Sequence, residues 1–291
     1  MPFVSVVLRR MIFESCLLPE LESGVVLTVI TSKDNPSVKL YMKLSSSKKE
    51  RRNSGLYVLE GFRLIEDAVN EKALLKQLFF TEDAYEKYSD ELSQVDLKEV
   101  KILIISNELG IKISCTEKPQ GVFAICEMPP ARSLEKEIIK SGKYVVLHGL
   151  QDPGNLGMII RTADAVGMDG VILSESCELY SPKVIRSTMG SAFRMKIFET
   201  RDTDELFSCL EANGIKSYAA VIDKDAVDLR TITFEGGCAV FIGNEGNGLP
   251  PEVASRCTVK ATIKMSGHIN SLNAAMATGI FMWEMSGNSI H

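Results

Sequence analysis

No part of this chain leaves the backbone fewer choices than residues 239–283. They begin Ala239-Val240-Phe241-Ile242, apolar at every position, and pass directly into Gly243-Asn244-Glu245-Gly246-Asn247-Gly248-Leu249-Pro250. A strand without alternation is buried on both faces, and a loop of small residues after it lets backbone approach a ligand. Ile263-Lys264-Met265 then reads as a second strand, and Ser271-Leu272-Asn273 as a capped helix start. Three chain reversals converge on one place.

The residues before this stretch extend the same pattern. Residues 144–149 read as an apolar strand and 150–154 as a turn rich in Asp, Pro and Gly. Asn155 is the expected N-cap of a helix whose apolar stripe is Leu156, Ile159, Ile160, Ala163 and Val166. Arg161 falls off that stripe, about a turn and a half into the helix, with Asp164 in reach for an ion pair. Residues 170–173 form the next strand, Ser181-Pro182 caps a helix carrying Lys183 and Arg186, and 204–212 and 217–222 continue as helix and strand. This βαβαβα order, with strands too apolar to be half exposed, predicts a parallel sheet covered on both faces. The glycines of the 243–248 loop follow Gly-x-x-Gly-x-Gly, and no phosphate loop ending in Gly-Lys-Ser/Thr is present. That spacing disfavours a dinucleotide-dependent oxidoreductase.

The first half reads as a smaller α/β unit. It has a strand at 56–61, a helix at 62–70, strands at 74–81 and 101–105 around a charged helix at 83–92, a short helix at 108–113 and a strand at 121–127. Before it, residues 33–52 carry Lys33, Lys39, Lys43, Lys48, Lys49, Arg51 and Arg52 against only Asp34 and Glu50, with Ser45, Ser46 and Ser47 as an expected mobile hinge. Such a run either meets RNA phosphates or is a solvated helix face. The net charge of −5 excludes a protein that coats nucleic acid without selection, so any RNA contact has to be local.

Residues 155–161, 243–250, 263–265 and 271–273 resemble the three signature motifs of the SpoU (TrmH-like) RNA 2′-O-ribose methyltransferases of the SPOUT class, and the resemblance runs from about Ile30 to Trp283. It implies a C-terminal parallel-sheet α/β-knot domain, with residues 261–283 threading a trefoil knot, preceded by a small ribosomal-protein-like α/β RNA-binding domain. The cofactor implied is S-adenosylmethionine, held by Gly243, Asn244, Ile263, Met265 and Leu272. Arg161 is the implied catalytic residue, with Asn155, Glu245, Ser271 and Asn273 completing the site. A guanidinium is a poor base, so Arg161 is expected to clamp phosphate and support developing charge; Glu245 either takes a proton or fixes its loop by accepting N–H bonds. Lys39, Lys48, Lys49, Arg51 and Arg52 are the candidate RNA contacts. Leu59-Glu60-Gly61 marks the substrate-binding domain, with Glu60 either capping the next helix or meeting RNA. Lys264 stands where the family often has proline, and Asn270 where it often has an acidic residue.

The substrate expected is structured RNA, ribosomal ahead of transfer RNA, acted on by a cytoplasmic homodimer. The alternative is a non-catalytic RNA-binding relative of the same fold. Expected domains are an N-terminal extension at 1–28, an RNA-binding domain at 29–128, a linker at 129–142 and a methyltransferase domain at 143–287. The extension is either an overextended start, with Val29 as initiator, or a poorly ordered leader. The seven cysteines lie singly and the three histidines make no ligand cluster, which points to a reduced protein without metal. No apolar run reaches the ~18 residues that span a bilayer.

Overall fold

The computed structural model describes residues 28–92, 100–268 and 270–287, so the expected N-terminal extension lies outside the described residues up to position 27. Two units are present. One takes the chain up to Pro129 together with Tyr180–Pro182, and the other takes Pro130–Leu179 and the chain from Lys183.

In the first unit, Asn35 caps helix α1 (Pro36–Ser46) and Ser47 caps α2 (Lys48–Ser54), each side chain accepting a backbone N–H from the first turn. Then follow β1 (Leu56–Glu60), α3 (Phe62–Asn70), β2 (Leu75–Thr81), α4 (Glu82–Leu92), β3 (Lys101–Ile105), α5 (Asn107–Ile113) and β4 (Val122–Glu127). The sheet order is β1-β4-β2-β3, with β4 antiparallel to both neighbours and β2 parallel to β3. Val38, Tyr41 and Leu44 of α1 bury against Phe79, Phe123 and Ile125, and Ile30 adds a bridge to the β3 edge.

Three expectations fail in this unit. Ser45 and Ser46 form no hinge: both are helical, and their hydroxyls donate back to the carbonyls of Tyr41 and Met42. Arg51 is 4% exposed and donates to the Leu44 carbonyl, bracing the corner between α1 and α2 from inside. Glu60 is neither a surface carboxylate nor a helix cap; it is buried, and α3 begins after Gly61 without a side-chain cap.

The second unit runs α6 (Leu134–Glu137), β5 (Lys143–His148), α7 (Pro153–Ala165), β6 (Gly170–Ser174), α8 (Pro182–Ser187), α9 (Ser191–Arg194), β7 (Ile197–Thr200), α10 (Thr203–Ala212), β8 (Lys216–Ala220), β9 (Val227–Asp228), β10 (Cys238–Ile242), α11 (Pro251–Arg256), β11 (Val259–Thr262) and α12 (Ala274–Ser286). Its sheet has the order β7-β6-β5-β10-β8-β11-β9, parallel at every pairing, as the apolar runs require. Phe207 of α10 stacks on Phe241 of β10 at 4.9 Å in the core. The strand expected at 263–265 ends earlier, at Thr262, and leaves those residues as loop.

Candidate active site

Strands β5, β10, β8 and β11 are neighbours and all point the same way, so their carboxyl ends release the motif-bearing loops along one edge of the sheet. In open parallel sheets that edge is where ligands bind. The loop after β5 turns at Gly149, whose φ is 71°. Asp152, not Asn155, is the N-cap of α7: its carboxylate accepts Asn155 N–H at 2.8 Å, and Pro153 opens the helix. An Asp-Pro pair fits the cap and first helical position better than Asn further on. Asn155 therefore sits inside the first turn, and its amide is available to other loops.

That amide joins the three motifs. Asn155 Nδ2 donates to Glu245 Oε1 at 3.1 Å, and Asn155 Oδ1 accepts from Asn273 Nδ2 at 3.0 Å. Glu245 also accepts the backbone N–H groups of Asp152 at 2.9 Å and Gln151 at 3.1 Å. Asn273 caps α12, its side-chain oxygen accepting from Ala275 N at 2.9 Å and Met276 N at 3.3 Å. Burial pushes the Glu245 carboxyl up, but the N–H donors outweigh it and hold the group below its ordinary range.

The glycine loop closes on itself. Asn244 N donates to the Gly248 carbonyl at 3.0 Å, and Gly248 N returns to the Asn244 carbonyl at 2.9 Å. A Cβ on Gly243 would lie 2.1 Å from Gly248 C and Leu249 N, so the loop's own backbone requires glycine there. The Asn244 side chain accepts from Gly246 N at 2.9 Å and donates to the Gly149 carbonyl at 2.9 Å. Glu245 and Asn244 together fasten the β10 loop to the β5 loop.

Arg161 lies about two turns into α7, exposed, and makes no ion pair or hydrogen bond among the described residues beyond its own helix. The expected partner Asp164 pairs instead with Arg194 at 3.0 Å. Gly157, one turn before Arg161, escapes the sequence reasoning. A Cβ there would meet Ser187 Cβ at 2.3 Å and the Val184 carbonyl at 2.9 Å, so α8 crosses α7 at backbone distance. Ser271 and Asn270 are exposed, and Ile263 is half-buried. Met265 is 38% and Leu272 39% exposed, and Ile222, just past β8, is 75% exposed. Ile222 is expected inside a strand; the polar run Asp223-Lys224-Asp225 after it is the sign that the strand has ended. Lys264 lies 3.8 Å from Asp228, whose carboxylate is held mainly by Arg230.

Of the expected RNA contacts, Lys48, Lys49 and Arg52 are exposed, Lys39 pairs with Asp34 at 2.9 Å, and Arg51 is the buried brace described above. Among the described residues no group of three or more His, Cys, Asp or Glu could hold a metal ion, and no helix is long and apolar enough to cross a membrane.

Comparison with known proteins gives this geometry a context. The SpoU rRNA Methylase family matches residues 142–283, and an MRM3-like substrate binding domain matches residues 35–124. The chain is 29% identical to the 23S rRNA (guanosine(2553)-2'-O)-methyltransferase RlmP of Bacillus subtilis, over 89% of this chain and 99% of that protein. It is 32% identical to an uncharacterised tRNA/rRNA methyltransferase of Synechocystis, over 88% of this chain and 92% of that one. The crystal structure of an AdoMet-bound rRNA methyltransferase from Sinorhizobium meliloti superposes with a TM-score of 0.79 at 32% identity, covering 91% of this chain and 98% of that one.

Proposed function

Because this chain belongs to the SpoU rRNA methylase family, we infer that it transfers a methyl group from S-adenosylmethionine to a ribose 2′-hydroxyl of ribosomal RNA. The observation that carries the inference is the hydrogen-bonded chain Glu245–Asn155–Asn273, which ties one residue from each motif into a single site. A merely RNA-binding relative would need the same loop fastening but not an exposed Arg161 on the helix beside it.

The residues present suit the cofactor. Ile222, Met265 and Leu272 expose apolar side chains beyond the carboxyl ends of β8 and β11, walls of the kind an adenosine and a methionine chain need. Gly243 and Ile263 offer backbone at the same edge, and Asn244 serves through its backbone, its side chain being engaged with Gly149 and Gly246.

When bound, S-adenosylmethionine supplies a methyl carbon already activated on a sulfonium sulfur. The protein's task is alignment and charge stabilisation. Transfer would exchange that carbon–sulfur bond for a bond to the 2′-oxygen and would release the hydroxyl proton, so the residues of this chain have only to hold the ribose in line and offset the developing charge. Glu245 is a poor proton acceptor because N–H groups already hold its carboxylate below the ordinary range; it sets the β5 and β10 loops. Asn155 and Asn273 keep α7 and α12 in register, and Ser271 stands exposed beside them to meet the ribose. Arg161, exposed and unpaired among the described residues, clamps a substrate phosphate and supports the developing negative charge.

Substrate binding belongs to residues 29–128 and transfer to residues 143–287. Segment 261–283 threads a trefoil knot. Met158 on α7 with Met276 and Trp283 on α12 leaves exposed apolar surface that suits a second copy of the chain, and the cytoplasm is the compartment expected for the protein.

The test is transfer of labelled methyl from S-adenosylmethionine to ribosomal RNA lacking its modifications, followed by digestion and mapping of the labelled nucleoside. One 2′-O-methylated nucleoside is expected. Cofactor binding without transfer to ribosomal RNA would move the substrate to another RNA; no cofactor binding would favour the non-catalytic alternative.

A further inference from the structure

The first unit contains a corner that the transfer chemistry leaves unused. Glu60 ends β1 and is 7% exposed. Its carboxylate accepts from Ser114 Oγ, from Cys115 N at 2.8 Å and from Thr116 Oγ1 at 2.7 Å, all just past the end of α5. At the far end of the same loop, Gln120 Oε1 accepts from Phe62 N, the first residue of α3, at 2.7 Å. Gly61 makes the intervening turn with φ at 103°, and a Cβ there would come within 3.1 Å of Gln120 Oε1. Residues 114–120 are thus pinned at both ends to the turn joining β1 and α3.

Burying a carboxylate is unfavourable unless donors satisfy it, and a loop fixed in this way has few conformations left to lose on binding. Three cations flank the loop. Arg63 stands in the first turn of α3, Lys112 in the last turn of α5 and Lys118 within the loop, all exposed and without an ion pair among the described residues. In the basic run of α1 and α2, Lys39 answers Asp34 and Arg51 points inward, which leaves Lys43, Lys48, Lys49 and Arg52 as its exposed cations.

We propose that Glu60 is a positioning residue that holds loop 114–120 so that Arg63, Lys112 and Lys118 meet phosphates of the RNA substrate. This corner is an RNA contact of the first unit separate from the exposed cations of α1 and α2. The proposal rests on RNA being the substrate.

It is tested by steady-state methyl transfer to an unmodified transcript of 23S rRNA, using wild type, Glu60→Ala, Glu60→Gln and the triple variant Arg63→Glu, Lys112→Glu, Lys118→Glu. If the loop is correctly placed only about a tenth of the time in Glu60→Ala, KM for the transcript rises about tenfold. Turnover at saturating RNA and the cofactor dissociation constant stay at wild-type values. Glu60→Gln, whose amide still accepts the Cys115 N–H and can donate to a hydroxyl oxygen, restores most of the affinity. The triple variant raises KM and flattens its dependence on salt.

An unchanged KM in folded Glu60→Ala, or a loss confined to turnover, overturns the positioning role. Should Glu60→Ala not fold, the triple variant decides, its side chains being exposed: a wild-type salt slope there overturns the proposal. Wild type that binds cofactor yet transfers nothing to the transcript overturns the substrate reading and this proposal with it. Wild-type activity beside unaffected variants overturns this proposal alone.

Discussion

Glu245 and Glu60 do the same mechanical task in different surroundings. Each is a carboxylate at or just past the end of a strand, and each gathers donors from a distant turn: Gln151, Asp152 and Asn155 for one, Ser114, Cys115 and Thr116 for the other. Glu60 is buried and pins a loop from inside. Glu245 lies on the surface, and its partner Asn155 reaches onward to Asn273. Donor count therefore does not mark a catalytic carboxylate. What separates the two corners is that the Glu245 network runs along an open sheet edge beside α7, the helix that carries the exposed Arg161.

The sharpest test of that difference is Arg161→Ala. Removing a group that stabilises transition-state charge costs on the order of 10²–10³ in turnover. Cofactor affinity, measured by calorimetry, should hold, because Arg161 belongs to neither of the loops, after β10 and β11, that would carry the cofactor. Loss of cofactor binding with turnover on bound cofactor unaltered would end the distinction between the two corners.

Glu245→Gln comes next. As a loop-setting acceptor its replacement should lower transfer by about tenfold, short of the 10²–10⁴ expected for a general base. Stability gives an independent sign. A carboxyl held below its unfolded value of about 4.3 contributes stability that is fully present above that pH and is lost as pH falls through the folded value. The melting temperature of wild type should therefore exceed that of Glu245→Gln at neutral pH, and the gap should close below about pH 4. A gap constant across that range would mean the hydrogen bonds do not depend on the charge.

Gly157→Ala probes how α7 is held while leaving both carboxylates in place. Its Cβ would sit 2.3 Å from Ser187 Cβ, against a helix whose backbone is also close, so the α7–α8 crossing has to open. Overpacking of this kind costs about 1–3 kcal/mol, readable in denaturant midpoints. A fall in turnover larger than the fall in cofactor affinity would show that the crossing also sets Arg161. A variant as stable as wild type would show that α8 yields freely.

How readily each of these residues yields to sequence reasoning follows the physics. Apolar runs locate β5, β6 and β10 because strands buried on both faces have no alternation to mistake. Strand β7, Ile-Phe-Glu-Thr at the sheet edge, and the two-residue β9 carry no such signal. Motif spacing finds Asn155, Glu245 and Asn273 but not their connections, because hydrogen bonds across 90 and 118 residues leave no local pattern. The Gly243 requirement is legible as glycine and not as to cause: the clash is with Gly248 and Leu249. Charge along 33–52 gives no clue that Arg51 turns inward to Leu44, since a run of like residues does not say which face each takes.

That last point sets the smallest effect. Lys48→Glu with Lys49→Glu leaves the Arg51 brace intact and alters only exposed charge on α2. If α2 touches RNA at its margin, the log–log slope of affinity against salt should shift by less than the full value of about 0.7–0.9 for each phosphate no longer neutralised, and KM by a few-fold. Adding Arg51→Glu would confuse the result, because a carboxylate placed beneath the Leu44 carbonyl damages the fold before it repels RNA. A salt slope reduced by the full value for both lysines would make α2 a full RNA contact alongside the Glu60 corner. An unaltered slope would make α2 a solvated face and concentrate recognition where the loop is pinned.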